Sequence, residues 1–354
     1  MKSFMEKILW QRNEHYSNHR IPGMLVTSRG ALLAYREARR TMSDWARMDI
    51  LLNRSEDFGE TFAPDVVLAT GTEVHPTVNN PVMAEDLNGI IHFLYCEDYA
   101  VEGGRVLHRT SADDGQTWSA PEDISAATMP EYRNVFAFGP GHGICLQNGT
   151  LIFPVWLVPK SAGNRPKAHG PSEITTLYST DNGASWRMGA LLRHTADTPS
   201  PNETTAAQRA DGSVYLNIRV TSGRGCRAQA VSPNGYDGWT EYRAAEMLPD
   251  PSCFGSVSAY NDGVHPYALV FGNCAHPTER KMVTVRMSFD GGATFPAQKL
   301  LCADGGGYVE TATDNRNGWI YVLYERNLGE TDTLVRLKYE DLVLRAEVKS
   351  YSEK

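Results

Sequence analysis

An eight-residue phrase, S-x-D-x-G-x-[TS]-[WF], occurs four times in this chain, at residues 55–62, 111–118, 179–186 and 288–295. A degenerate copy at 232–239 keeps the serine, the turn residues and the closing aromatic. The starting serines, at 55, 111, 179, 232 and 288, lie 56, 68, 53 and 56 residues apart, a period that suits repeated β-sheet units set around an axis. Each copy follows a β-prone run such as 48–52 or 282–287. Within the phrase the Asp accepts backbone N–H bonds and the Gly supplies a φ that a Cβ would oppose. The aromatic is then placed to tuck under the hairpin and into the seam with the neighbouring unit. A calcium loop also carries Asp and Gly, but the phrase lacks the alternating oxygen ligands and the terminal bidentate Glu of such a loop.

Five boxes imply at least five sheet units. The segment 300–348 carries further strand signals without a box, clearest at 319–324 and 333–338. With that segment closed by a strand from residues 21–35, the expectation is an all-β fold, a six-bladed β-propeller with Asp-box hairpins, built as one domain over residues 1–354. Ring closure would remove exposed sheet edges. Residues 3–15 read as a short N-terminal helix, the one exception to a chain punctuated by 31 Gly and 19 Pro. A propeller has a central funnel, and loops at one mouth bring together residues from every blade.

Composition narrows the partners. A formal charge of −8 with no basic run argues against nucleic acid or an anionic membrane surface. An anionic small substrate would instead need a local arginine cluster. The six cysteines are scattered without zinc or redox spacing and read as reduced, mostly buried small hydrophobes; neither a metal nor another cofactor is expected. The N-terminus has charge where a signal peptide would be apolar, and no run approaches the roughly 20 apolar residues of a membrane span, so a cytoplasmic location is expected.

Charged residues inside apolar, strand-like context mark the candidate site, because burying a charge there is costly unless it is paired or used. They are Arg20, Arg39, Asp44, Glu203, Arg219, Arg280 and Glu325, with Tyr308 following the glycine run 305–307. Taken singly, each has a bland explanation as a rim residue or salt bridge.

Taken in order, they do not. Arg20-Ile21-Pro22, Glu37-Ala38-Arg39, Ser43-Asp44, the Asp boxes, Asn202-Glu203, Leu216-Asn217-Ile218-Arg219, Arg280 before the last box and the late Tyr308 resemble the bacterial exo-sialidase (neuraminidase) family, over nearly the whole chain from Arg20 to Glu325. The resemblance implies a six-bladed propeller and a retaining exo-α-sialidase acting on sialic-acid-containing glycans through a tyrosyl-enzyme intermediate. It implies that Arg20, Arg219 and Arg280 hold the substrate carboxylate, for which the guanidinium fork is suited, and that Glu325 braces the first arginine. Asp44 matches the general acid/base, with a pKa expected to be raised by partial burial. Tyr308 and Glu203 match the nucleophile and its base; a neutral phenol can approach an anomeric carbon bearing a carboxylate where an anionic Asp or Glu would be repelled. Arg39 is expected near the C4 hydroxyl, and Trp45 and Met48 either line an apolar patch for an N-acyl group or pack in the core. The chain departs from the family after Tyr308, where Val309-Glu310-Thr311 replaces the usual serine and aspartate, and at 272–277 before the third arginine. A hydrolase of a related 2-keto sugar acid and a non-catalytic sialoside-binding propeller are the alternatives.

Overall fold

The computed structural model describes residues 3–343 except 102, 164–168 and 222. Six antiparallel sheets follow one another along the chain, five of four strands and one, blade 3, of five, where the short Ile144–Cys145 adds to Leu151–Pro159 beside the four strands of the common pattern. Blade 1 holds Asn18–Val26, Leu32–Arg39, Met48–Ser55 and Val66–Thr70, and blades 2 to 5 repeat the pattern, their first strands being Val78–Glu85, Arg133–Phe138, Pro201–Gln208 and Ser256–Tyr260. Blade 6 takes Val309–Asp314, Trp319–Arg326 and Thr331–Lys338 from the C-terminal part of the chain and its fourth strand, Met5–Gln11, from the N-terminal part. The expected six-bladed propeller is thus present.

Two expectations about closure are corrected. Residues 3–15 do not form a helix: Met5–Gln11 is a strand, antiparallel to Thr331–Lys338 with Met5 opposite Arg336 and Gln11 opposite Thr331. Local propensity yields here to the unpaired edge that the third strand of blade 6 would otherwise expose. Residues 21–35 are not the closing strand either; they lie in the first two strands of blade 1's own sheet. Trp10 anchors the closure, donating from its indole to Asn53 Oδ1 at 2.8 Å and lying under the Arg36 guanidinium.

Blades are buried on both faces, so the core is divided among the seams. Six apolar clusters each join two neighbouring blades; one joins Leu33, Ile50 and Leu52 of blade 1 to Phe93 and Leu107 of blade 2, and another joins Val270 and Met287 of blade 5 to Val322 and Leu337 of blade 6. The boxes staple these seams. Every intact box connects the third strand of a blade to its fourth. The Ser Oγ accepts the Gly N–H at 2.8–2.9 Å and donates to the Asp, which in turn receives the N–H of the Thr or Ser four residues on. The glycines need positive φ, 81° at Gly115, and Gly115 abuts Leu33 of the preceding blade. Trp118 meets Phe93 edge-on, and Trp186 meets Phe153 in the same way. In an up-and-down sheet these third-to-fourth connections lie at the opposite end from the start of the first strand and the end of the second. That second end carries the candidate site.

Candidate functional site

Backbone irregularities aim the first strands' charged side chains. Pairing slips between Arg20 and Gly23, where Ile21 takes a φ of 59°, and again between Pro201 and Thr204, around Glu203. Bulges of this kind re-aim side chains that a regular pleat would send into the seams. Tyr308 stands just before Val309–Asp314, and the glycines preceding it are required by close approach: a Cβ on Gly307 would fall 2.6 Å from Glu325 Oε2.

Glu325, at the end of a blade 6 strand and fully buried, organises the centre. Its Oε1 accepts Arg20 Nε at 2.7 Å and the Ile21 amide at 3.0 Å, while Oε2 accepts the Tyr308 amide at 3.0 Å. The brace expected for Arg20 is present and also fixes the backbone of Tyr308. The Arg20 and Arg280 guanidiniums lie 4.9 and 5.6 Å from the centroid of the Tyr308 ring. Arg219 Nη1 is 3.1 Å from the Tyr308 hydroxyl and also pairs with Glu203 Oε2. The hydroxyl itself donates to Glu203 Oε1. Residues from blades 1, 4, 5 and 6, as far apart in sequence as 20 and 325, therefore meet around one phenol. Burial, followed by the Glu203 charge, pushes the Tyr308 pKa up against the opposing pull of Arg219, Arg20 and Arg280, so the phenol is neutral in the free protein.

The floor beneath is Ile21, Cys253, Phe254 and Tyr308, with the Phe254 and Tyr308 ring centroids 5.3 Å apart. Arg227, fully buried, holds that floor by donating to the carbonyls of Cys253 at 2.5 Å and Gly255 at 3.3 Å. Below it Glu310, on the strand that follows Tyr308, pairs with His142 Nδ1 at 2.5 Å. The segment 139–143 is tied to several blades: Tyr35 donates to the Gly141 carbonyl at 2.7 Å, the Gly143 amide to Met83, and the Thr204 amide to Gly139. It plugs the axis. On the far side lies a cavity of about 240 Å³ lined by Met24, Glu85, His142, Ser258 and Thr311.

Arg39 and Asp44 form a second group beside Arg20. Arg39 is fully buried; its Nε and Nη2 both donate to Glu37 Oε2, at 2.8 and 2.5 Å, and its Nη1 to Asp44 Oδ1 at 2.5 Å. Glu37 Oε1 accepts the Asn80 amide at 2.7 Å. Asp44 sits on the loop between the second and third strands of blade 1 with 42% of its side chain exposed. Its pKa is lowered, which corrects the expectation of a raised one: burial pushes it up, but the Arg39 charge and hydrogen bond, with Arg20 and His169, outweigh burial. Of the two readings open for Met48, the structure takes core packing: it is fully buried in the seam between blades 1 and 2. Trp45 remains beside the site, its ring centroid 5.0 Å from that of Tyr99, with His169 next in the same aromatic group.

All eight residues singled out in the sequence thus lie at one mouth. Sequence reasoning missed the supporting set of Glu37, Arg227, Phe254 and the His142–Glu310 pair. Glu37 was visible inside the phrase that marked Arg39, Glu310 in the departure from the family after Tyr308, and His142 and Phe254 inside the family-like phrases 139–144 and 253–257; Arg227 had no signal short of its contacts.

Residues 63–322 match the BNR repeat-like domain. The chain belongs to the bacterial-type exo-sialidase family with BNR repeats. It is 30% identical over 350 residues to a sialidase of Micromonospora viridifaciens, an alignment covering 89% of this chain and 51% of that protein. With a sialidase of Bacteroides fragilis it shares 27% identity over 363 residues, covering 92% of the chain and 62% of the relative. It therefore spans between about half and three fifths of these curated relatives. Among solved structures, the Hadza microbial sialidase Hz136 superposes with a TM-score of 0.82 at 25% identity, covering 93% of this chain and 67% of that one.

Proposed function

We propose that this chain is a retaining exo-α-sialidase that releases terminal sialic acids from glycans through a tyrosyl-enzyme intermediate. The observation that carries the reading is the convergence of Arg20, Arg219 and Arg280 on a buried phenol whose proton already points at Glu203. Three guanidiniums around one point suit a carboxylate next to the reacting carbon. As the Tyr308 oxygen attacks C2, its proton passes to Glu203. The C2–O bond to the leaving sugar breaks as Asp44 protonates that oxygen. Water then attacks C2, giving its proton to Asp44, and the C2–O bond to Tyr308 breaks as Glu203 returns the phenolic proton. Two inversions give net retention. Arg219, touching both the phenol oxygen and Glu203, stabilises negative charge on either during transfer.

Hydrolysis of a fluorogenic α-sialoside by wild type, Asp44→Ala and Tyr308→Phe proteins tests the reading, with NMR of the first-released anomer. An α-anomer from wild type and large losses in both variants are expected. Variants as active as wild type, or a β-anomer released first, would refute the mechanism. The arginines address the carboxylate and not the N-acyl arm, so parallel rates on N-acetylated and deaminated sialosides decide which sugar acid is preferred.

A further inference from the structure

In the free protein the proposed proton donor is a carboxylate clamped by an arginine, and the two partners are unequally free to move. Arg39 cannot retreat: it is fully buried and two of its nitrogens are committed to Glu37, which is itself buried and tied to the Asn80 amide. Asp44 rides on the loop 40–47, held internally by the Arg40 amide on the Arg47 carbonyl at 3.3 Å and the Ala46 amide on the Ser43 carbonyl at 3.2 Å. The groups that act on Asp44 come from several elements. Arg39 and Glu37 are on the second strand of blade 1 and Arg20 on its first, Tyr99 belongs to blade 2, and His169 belongs to the segment before the third strand of blade 3. The direct charge and hydrogen bond of Arg39, with Arg20 and His169 behind it, favour the ionised carboxyl, and an acid kept there in its ionised form has no proton to give.

We propose that Asp44 acquires its proton only when substrate binds: the C4 hydroxyl of the sugar takes the Nη1 edge of Arg39, and Asp44 swings off the arginine and takes up one proton from solvent. This rests on the sialidase reading and makes Glu37 the positioning residue that leaves Arg39 a single edge to be shared. The protons balance over a turnover. Asp44 gains one from solvent on binding, gives it to the leaving oxygen, takes one from the attacking water, and returns it to solvent when product leaves and the pair with Arg39 re-forms. Binding and protonation are then linked, each favouring the other. The free protein meanwhile keeps its loop docked and its acid unloaded.

The test is proton uptake on binding of a non-hydrolysable ligand, the 2,3-dehydro-2-deoxy derivative of sialic acid, measured calorimetrically at pH 5 in buffers of different ionisation enthalpy. Uptake approaching one proton per site is expected for wild type, with loss of the uptake in Asp44→Asn and its persistence in Tyr308→Phe. The 4-deoxy form of the same ligand should bind with little or no uptake, and Glu37→Gln should reduce the uptake seen with the parent ligand. Binding of the parent without uptake, or equal uptake with the 4-deoxy form, would overturn the proposal while leaving the sialidase reading intact. If neither ligand binds, the sialidase reading fails and takes this proposal with it.

Discussion

Glu325→Gln tests the centre of the site most directly, because one buried carboxylate there serves three donors. The amide is nearly isosteric, so its oxygen can replace Oε1 and keep Arg20 Nε and the Ile21 amide. Its NH2 group then faces the Tyr308 amide, donor against donor, and a buried N–H loses its acceptor at a cost of about 1–3 kcal/mol. Arg20 also loses its counter-ion, and removing one partner of a buried pair costs about 3–5 kcal/mol. The two costs overlap. A partial offset is available from Asp332, directly across the strand pair from Glu325 and fully buried, whose pKa is raised first by burial and then by the Glu325 charge. With that charge gone, Asp332 ionises more readily and returns some compensation to Arg20. The expected net loss is about 3 kcal/mol, read by calorimetry as a fall in Tm of roughly 6–12 °C at about 2–4 °C per kcal/mol. Because the Tyr308 backbone is released at the same time, kcat/KM on a sialoside should fall at least tenfold. A variant whose Tm lies within 2 °C of wild type and whose kcat/KM is unchanged would show that Glu325 does not brace the site.

Further expectations concern the scaffold. Asp181→Asn in a box should lower Tm without altering kcat, since the boxes lie at the end of the propeller away from Tyr308; a selective loss of kcat with Tm intact would contradict this. The side-chain hydrogen bonds from Ser185 and Ser179 hold the Asp181 pKa down at about 2, and those from Thr117 and Ser111 contribute likewise at Asp113. A depressed folded-state pKa stabilises above the unfolded value near 3.9 and loses that stabilisation as pH falls towards 2. The stability gap between wild type and Asp181→Asn should therefore shrink across that window, as acid titrations followed by circular dichroism would report. Trp10→Ala, removing a buried ring that anchors the closing strand, should cost about 3–5 kcal/mol and expose the edge of blade 6, seen as concentration-dependent association in light scattering; a monomeric variant with unchanged Tm would refute the anchor. Glu310→Gln should weaken the axial plug through the His142 contact and lower Tm, whereas an unaltered Tm would show that the pair contributes nothing.

Much of the scaffold was legible because its instructions are local. Ser179, Asp181, Gly183 and Ser185 satisfy one another within seven residues, so the hairpin can be read from the string that builds it, and its repetition counts the blades. The charged residues of the site were legible for a related reason: Arg20, Arg219 and Glu325 interrupt strands that otherwise have every physical reason to be apolar. What could not be read depends on partners distant along the chain or on the angle of a loop. Residues 5–11 alternate weakly enough to read as a helix, and only an unpaired edge more than 300 residues away makes them a strand. Asp44 was expected to have a raised pKa because partial burial raises a carboxyl, yet a buried arginine, itself fixed by Glu37, reverses the sign. The sequence by itself determined the turns, the blade count and the supply of charges at one mouth. The tertiary structure decided which strand closes the ring, which carboxylate pairs with which arginine, and that a His142–Glu310 plug separates the funnel from the far cavity, because pairing energies depend on distance and desolvation, which exist only once the chain is folded.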